Sequence, residues 1–153
     1  MSTATAAEGQ TRQLVVFTLG SEEYGVPITS VQEIIRYTAP RPIPGSPSHV
    51  EGVINLRGRI IPVVDLKARF GSFAERRDEA KIVIVDLAET TVGIIVDDVT
   101  EVLSVQADQT EPPPPGAAGA DVDYIEAVAK LEGRLLVMLD LARLFGLVDG
   151  GAW

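Results

Sequence analysis

The stretch EGVINLRGRIIPVVDLKARFG, residues 51–71, decides the fold of this chain. Aliphatic residues, many of them β-branched, lead into a turn at Arg57-Gly58 and continue after it. Runs of this kind on both sides of a glycine turn are typical of a β-hairpin. Asp65 can cap a short helix, because its carboxylate accepts the free amides of the first helical turn, and Gly71 can end that helix. The stretch therefore predicts a strand, a turn, a second strand and a helix.

A second copy of this arrangement lies near the C-terminus. Residues 50–71 align without gaps on residues 125–146, and residues 14–35 align in the same way on residues 82–103. The extra residues of the second copy all fall in the connector between these segments, where a true repeat accommodates insertions. The chain is therefore predicted to contain two copies of one small β unit of about five strands.

The predicted fold is mostly β, with two pseudo-symmetric five-stranded barrels that share a hydrophobic core, and with short helices. A unit of this size buries too little surface to be stable alone, and barrel closure removes its free strand edges. The interior should be aliphatic, because hydrophobic residues make up 46% of the chain and aromatic residues only 5%. The first barrel is expected over about residues 13–71 and the second over about 81–146, with exchange of strands between them left open. Residues 1–12 are expected to be a disordered tail and residues 147–153 a C-terminal tail.

Residues that the two copies share are assigned to the fold. Gly58 and Gly133 are assigned to turns, and Asp65 and Asp140 to helix caps.

The two hairpin tips differ in sequence. Asn55 and Arg57 of the first copy are replaced by Lys130 and Glu132 in the second. Since turn geometry requires neither Asn nor Arg at these positions, the two residues are candidates for a specific contact. The competing interpretation is a solvated turn tip, which tolerates almost any polar residue.

Glu33 interrupts an apolar run and needs a partner, because an isolated buried charge is costly. We predict that Glu33 pairs with Arg57. In the second copy the corresponding residues are Glu101 and Glu132, so the same pair is not expected there.

The composition excludes several classes of function. The net charge of −9 argues against nucleic acid and anionic membrane surfaces as partners. The chain has no cysteine, so disulfides and thiolate metal sites are excluded. We find no signal peptide and no apolar stretch approaching the roughly 20 residues that a membrane helix needs, so the chain is predicted to be soluble and cytoplasmic.

Most constellations that carry enzyme chemistry are missing. His49, the only histidine, lies in a proline-rich connector and is interpreted as a surface residue and not as the base of a Ser-His-Asp triad. A single histidine also excludes a histidine-rich metal site. Asp97 and Asp98, with Glu101 nearby, are interpreted as the charged rim of a strand end and not as a cation site. The chain has 22 acidic residues, enough for the paired carboxylates that glycoside hydrolysis needs. Nothing in the sequence, however, places two of them in a cleft. No enzyme activity, metal or cofactor is therefore predicted.

Three segments of the chain resemble the CheW family of bacterial chemotaxis coupling proteins: LVVFTLGSEEYGVPITSVQEII, EGVINLRGRIIPVVDL and KIVIVDLAETTVGIIVDDVTEVL. The similarity covers about residues 13–146. It implies two SH3-like barrels around a common core and no catalysis. It also implies an adaptor at receptor arrays, without membrane insertion of its own. Such an adaptor bridges the cytoplasmic tips of chemoreceptors (methyl-accepting chemotaxis proteins) to the regulatory domain of the histidine kinase CheA.

Carried over position by position, the resemblance implies receptor contacts at Val31, Glu33, Asn55 and Arg57, in a groove between or beside the barrels. It assigns no kinase-binding residues. The same fold occurs as the regulatory domain of CheA and fused to a receiver domain, and a stand-alone chain favours the adaptor. A CheW-like scaffold of a related, non-chemotaxis array also fits the resemblance. From a different class of function, a small hydrolase built on acidic residues stays open.

Overall fold

The structure, a computed structural model, describes residues 11–45, 50–69, 80–87, 90–113 and 125–144. Its elements in chain order are β1 (Thr11–Leu19), β2 (Glu22–Pro27), β3 (Val31–Arg36), β4 (Val50–Leu56), β5 (Arg59–Asp65), α1 (Leu66–Arg69), β6 (Lys81–Leu87), β7 (Thr90–Val96), β8 (Asp98–Gln106), β9 (Thr110–Glu111), β10 (Ile125–Leu131), β11 (Arg134–Leu139) and α2 (Leu141–Leu144). The prediction of a mostly β chain with short helices is confirmed. β1 begins two residues inside the region predicted as an N-terminal tail; the rest of that tail, the C-terminal tail, His49 and Gly71 lie outside the described residues. None of the helices in the described ranges has the length and apolar character needed to cross a membrane.

The strands form two sheets. One has five strands in the order β3-β6-β7-β5-β4, and the other has six in the order β8-β1-β2-β11-β10-β9. The repeat relates β1, β2 and β3 to β6, β7 and β8, and it relates β4 and β5 to β10 and β11. Under this correspondence the two sheets have the same strand order, and β9 is the extra strand that makes the second sheet larger than predicted.

Each sheet combines strands of both copies. The five-stranded sheet takes β6 and β7 from the second copy, and the six-stranded sheet takes β1 and β2 from the first. The boundaries of about 13–71 and 81–146 therefore do not describe the two sheets. The copies exchange their first two strands, an arrangement that the repeat alone leaves open.

The described residues divide into two compact units. The six-stranded unit contains residues 11–17, 21–28, 100–113 and 125–144, and the five-stranded unit contains residues 18–20, 29–45, 50–69, 80–87 and 90–99. Each unit has an aliphatic cluster of its own, formed by Leu14, Val16, Val105, Ala129, Leu136 and Met138 in the first and by Ile54, Ile61, Val63, Ile82, Ile84 and Ile95 in the second. An aliphatic interior agrees with the low aromatic content. Each cluster combines side chains of both copies, and a core shared between the two barrels stays a prediction.

Strand register repeats between the units. Val63 of β5 lies opposite Gly93 of β7 in a parallel pair, and Met138 of β11 lies opposite Gly25 of β2 in the equivalent pair. In both hairpins two residues join the strands. The repeat found in the sequence therefore extends to the hydrogen-bonding register.

The predicted helix caps are present at the end of each hairpin. The Lys67 N–H donates to Asp65 Oδ1 at 3.0 Å, and the Arg143 N–H donates to Asp140 Oδ1 at 3.2 Å. These bonds satisfy amides that have no partner within the first turn of a helix.

The proline-rich connector crosses the free edge of β4. Arg41 and Val53 exchange two backbone hydrogen bonds of 2.8 and 2.9 Å. In the other copy β9 occupies the equivalent edge, with Glu111 paired to Val128 of β10. Both connectors thus cover a strand edge that could otherwise pair with another chain.

Candidate functional site

The first hairpin has an unusual backbone at its tip. Leu56 pairs with Arg59, and the two residues between them, Arg57 and Gly58, have φ angles of 53° and 88°. Among the described non-glycine residues, Arg57 alone has a positive φ. A left-handed backbone is uncommon for a residue with a Cβ atom, so the surroundings must hold Arg57 there.

Asn55 supplies one of the bonds that hold this turn. Its Oδ1 atom accepts the backbone N–H of Gly58 at 2.8 Å. Asn55 itself is exposed. The asparagine side chain thus stabilises the same turn in which Arg57 lies.

Arg57 and Glu33 form the predicted ion pair. Arg57 Nη1 donates to Glu33 Oε1 at 2.8 Å, and Nη2 donates to Oε2 at 2.9 Å. This two-bond geometry is the strong form of an arginine–carboxylate contact. The Glu33 side chain is 26% exposed and the Arg57 side chain 71%, so most of the arginine faces solvent.

The pair shifts the ionisation of both partners. Hydrogen bonding from Arg57, together with its charge, lowers the pKa of Glu33 against a smaller opposing effect of burial. The hydrogen bond to Glu33, followed by its charge, raises the pKa of Arg57. Both groups are therefore charged at neutral pH, and the tip presents a cationic donor.

Val31 lies on the same strand as Glu33. It is partly buried and pairs with Val85 of β6, and the register shifts between Val31 and Glu33. The structure therefore joins Glu33 of β3 to Arg57 at the hairpin tip, where Asn55 holds the turn. Val31 lies two residues before Glu33 on β3, and the structure shows no contact between it and the tip among the described residues.

The tip of the second hairpin is built differently. Gly133 has a φ of 75°, whereas Glu132 is outside the positive region. Lys130, at the position of Asn55, forms an ion pair with Glu111. The Glu101 carboxylate accepts from Arg134 Nη2 at 2.7 Å.

Arg134 is held by two carboxylates. Besides Glu101, it donates to Glu23 from Nε at 3.0 Å and from Nη2 at 3.1 Å. Hydrogen bonds to Glu101 and then to Glu23 raise the pKa of Arg134. The arginine of the second tip is therefore engaged on two sides within its own unit.

The equivalent arginine of the first copy, Arg59, has a different partner. Its Nη2 atom donates to Thr91 Oγ1 at 2.9 Å, and Thr91 donates to Asp86 Oδ1 at 3.2 Å. Thr91 stands at the position of Glu23. The sequence indicates only a fold role for this arginine, because both copies have it, and the available signal is the change of its partner from Glu to Thr.

Asp97 corrects a prediction. The sequence pattern indicates a charged rim here, but Asp97 is only 3% exposed. Its Oδ1 atom lies 2.9 Å from Lys67 Nζ, and its Oδ2 atom accepts the Gly20 N–H at 2.6 Å. The reason is that Lys67 at the start of α1 supplies the charge that a buried carboxylate needs. Asp98, by contrast, accepts at 3.4 Å from Lys81, whose side chain is 30% exposed.

The chemistry of the site is that of hydrogen-bond donors and acceptors. Within the described ranges, no group of three or more His, Asp or Glu side chains is arranged to hold a metal ion. Both terminal nitrogens of Arg57 already donate to Glu33, so what the tip offers to a partner is the remaining N–H groups of a guanidinium whose side chain is 71% exposed. Such N–H groups on a hairpin suit a charge-assisted hydrogen bond to a carboxylate.

Comparison with known proteins identifies the class to which this fold and site belong. A family model for the CheW-like domain matches residues 13–149. The chain belongs to the CheW-like domain family.

Individual relatives are similar to this chain over most of their own length. The chemotaxis protein CheW of Klebsiella aerogenes is 37% identical over 94% of this chain and 89% of its own. The chemotaxis protein CheW of Treponema pallidum is 38% identical over 87% of this chain and 81% of its own. The crystal structure of the scaffolding protein TtCheW from Thermoanaerobacter tengcongensis superimposes with a TM-score of 0.83 and 38% identity, covering 89% of this chain and 93% of that one.

Proposed function

We propose that this chain is a non-catalytic adaptor that couples the cytoplasmic tips of chemoreceptors to the histidine kinase CheA in chemotaxis signalling. The observation that carries the proposal is the family match over residues 13–149, with relatives named as chemotaxis proteins and a structural neighbour described as a scaffolding protein. The adaptor works in the cytoplasm at receptor arrays and needs no cofactor.

The receptor-binding face consists of Val31, Glu33, Asn55 and Arg57. A receptor tip is a helical hairpin, and one face of a helix can lie on an apolar surface with a polar anchor beside it. The support in the structure is the Arg57 side chain, which is 71% exposed while Glu33 fixes its direction. Arg57 fixes the register of the helix through a charge-assisted hydrogen bond to a receptor carboxylate, and Val31 adds apolar contact.

The kinase binds a different surface, so that receptor and kinase are held at the same time. The kinase partner is the regulatory domain of CheA, and its contact residues are unassigned. Simultaneous binding is the property that distinguishes an adaptor from a competitor for either partner.

A ternary pull-down tests this function. A tagged receptor tip should retain the wild-type chain and, only in its presence, CheA. Arg57→Ala should reduce capture of the chain by the receptor tip while its direct binding to CheA is retained. Glu132→Ala changes the equivalent residue of the other tip and should leave capture by the receptor tip intact. A wild-type chain that binds neither partner, or an Arg57→Ala variant captured as well as wild type, contradicts the proposal.

A further inference from the structure

The two hairpin tips have the same strand register but different turns. Both loops contain two residues, the second of which is a glycine at positive φ. The first loop residue is Arg57 at a φ of 53° in one copy, and Glu132, outside that region, in the other. Positive φ at both loop residues is the pattern of a type I′ turn. Such a turn usually has Asn, Asp or Gly as its first loop residue and Gly as its second. Arginine at that place needs support from another group.

Asn55 is the supporting group, and it is a residue at which the two copies differ. Its Oδ1 atom accepts the Gly58 N–H at 2.8 Å, which fixes the second peptide of the loop. Lys130 stands at this position in the other copy, and an ammonium group has no acceptor for such a bond. The copy that keeps the acceptor is therefore the copy whose loop holds a left-handed arginine.

The backbone of the loop also sets the direction of Arg57. From this turn the guanidinium reaches Glu33 on β3 with both terminal nitrogens, at 2.8 and 2.9 Å. Two simultaneous bonds fix the plane and position of the guanidinium against the carboxylate, because both groups are planar. Only some staggered side-chain rotamers reach that position from a given placement of the arginine Cα and Cβ atoms. A change of turn type would move these atoms.

We propose that Asn55 is a positioning residue, whose side-chain amide holds the loop in the form that aims Arg57 at Glu33 and at the bound partner. The proposal deepens the proposed function and rests on the role given there to Arg57. Asn55 thus belongs to the receptor-binding face through its action on Arg57, in place of the direct receptor contact that the family resemblance implied.

The first test uses the free protein and needs no partner. NMR coupling constants report the φ angle of Arg57, and a titration of side-chain carboxyl signals reports the pKa of Glu33. Asn55→Ala should move Arg57 out of the positive region and let the pKa of Glu33 rise towards its ordinary value, because the arginine is no longer aimed at it. Asn55→Asp keeps an oxygen acceptor and should keep the positive φ of Arg57. Lys130→Ala is the matched control at the other tip and should change neither quantity.

The second test is a double-mutant cycle for binding to a receptor-tip fragment. Asn55→Ala should weaken binding about fivefold, the effect expected when one hydrogen bond of the turn is lost. In an Arg57→Ala background the same change should have no further effect, since it acts only through the arginine. Asn55→Asp should restore most of the affinity.

The two tests separate the outcomes. Equal losses from Asn55→Ala with and without Arg57 mean that Asn55 contacts the receptor itself, and they overturn the proposal. An unchanged Arg57 φ and Glu33 pKa in Asn55→Ala overturn it as well. A wild-type chain that does not bind the receptor tip contradicts the proposed function, while the NMR measurements on the free protein still decide the role of Asn55.

Discussion

At the scale of single residues, two ion pairs of the five-stranded unit have different roles. Arg57 and Glu33 are exposed at a hairpin tip, where an ion pair adds little to stability but orients a donor for binding. Asp97 is buried and Lys67 largely so, with side chains 4% and 13% exposed, and an ion pair in such a place is expensive to form and more expensive to break. The first pair is suited to recognition and the second to fixing the fold.

The buried pair makes a prediction about stability. Lys67→Met should lower the free energy of unfolding by about 3 kcal/mol, because the Asp97 carboxylate stays buried without its cation. Lys81→Met is the matched control: its pair with Asp98 is longer and more exposed, so the loss should be under about 1 kcal/mol. Urea denaturation followed by circular dichroism measures both values. Equal losses in the two variants would show that burial of Asp97 does not matter to stability.

The exposed pair makes a prediction about pH. Because the pKa of Glu33 is lowered below the ordinary glutamate value of 4.5, the pair is complete above pH 4.5. Its contribution to the folded state is lost as the pH falls through the lowered pKa, since protonation removes the charge that Arg57 binds. A carboxyl titration by NMR should give a higher Glu33 pKa in Arg57→Ala than in wild type. Identical titration curves in the two proteins would contradict the pairing.

At the scale of elements, crowding around the parallel pairs β5–β7 and β2–β11 explains why both copies have a glycine at the equivalent positions 25 and 93. A Cβ atom on Gly93 would lie 2.9 Å from Ile82 Cγ2, closer than real Cβ contacts allow. On Gly25 the nearest atoms, on Leu136 and Leu14, would be 3.3 Å away. In each copy, the glycine leaves room for aliphatic side chains of the cluster beside it.

This difference predicts unequal effects of one substitution at equivalent positions. Gly93→Ala should destabilise the protein by about 1–3 kcal/mol, the usual cost of overpacking a filled core. Gly25→Ala should cost less, because small shifts of two leucine side chains can accommodate the methyl group. Thermal unfolding of both variants beside wild type measures the difference. A larger loss for Gly25→Ala would mean that the two clusters do not have the packing seen here.

The elements near the site were more predictable than the long-range contacts. The hairpin, its helix cap and the pairing of Glu33 with Arg57 follow from apolar runs, a Gly turn and a charge that needs a partner. The burial of Asp97 does not, because an Asp-Asp pair at a strand end looks like a solvated rim. Its partner Lys67 lies on a distant element, and no local pattern indicates that the two will meet. The left-handed backbone of Arg57 was not predictable either, since Arg-Gly is not a usual type I′ sequence.

At the scale of the whole molecule, the exchange of strands between copies was the feature that the sequence could not decide. The two copies have the same apolar pattern, so β5 could pair with β2 of its own copy or with β7 of the other without changing which residues are buried. In the structure β5 pairs with β7 of the other copy, and in the other sheet β11 likewise pairs with β2. Local pattern fixes the strands, and only the three-dimensional packing fixes which copy provides each partner.

Strand exchange makes each half of the chain dependent on the other. A cut after residue 79 leaves β1 to β5 on one fragment and β6 to β11 on the other. In the five-stranded sheet, β6 and β7 lie between β3 and β5. The first fragment therefore lacks the two strands that connect β3 to the β4–β5 hairpin. The second fragment likewise lacks β1 and β2 between β8 and β11. The hairpins that remain are too small to be stable by themselves.

We therefore expect neither fragment, 1–79 or 80–153, to show a cooperative unfolding transition alone. An equimolar mixture should regain one, with the far-UV circular dichroism and the dispersed amide NMR spectrum of the intact chain, because each fragment supplies the hairpin that the other lacks. The intact chain under the same conditions is the reference. If fragment 1–79 folded alone with a native-like spectrum, its strands would have to pair within one copy, which is incompatible with a sheet in which β6 and β7 separate β3 from β5.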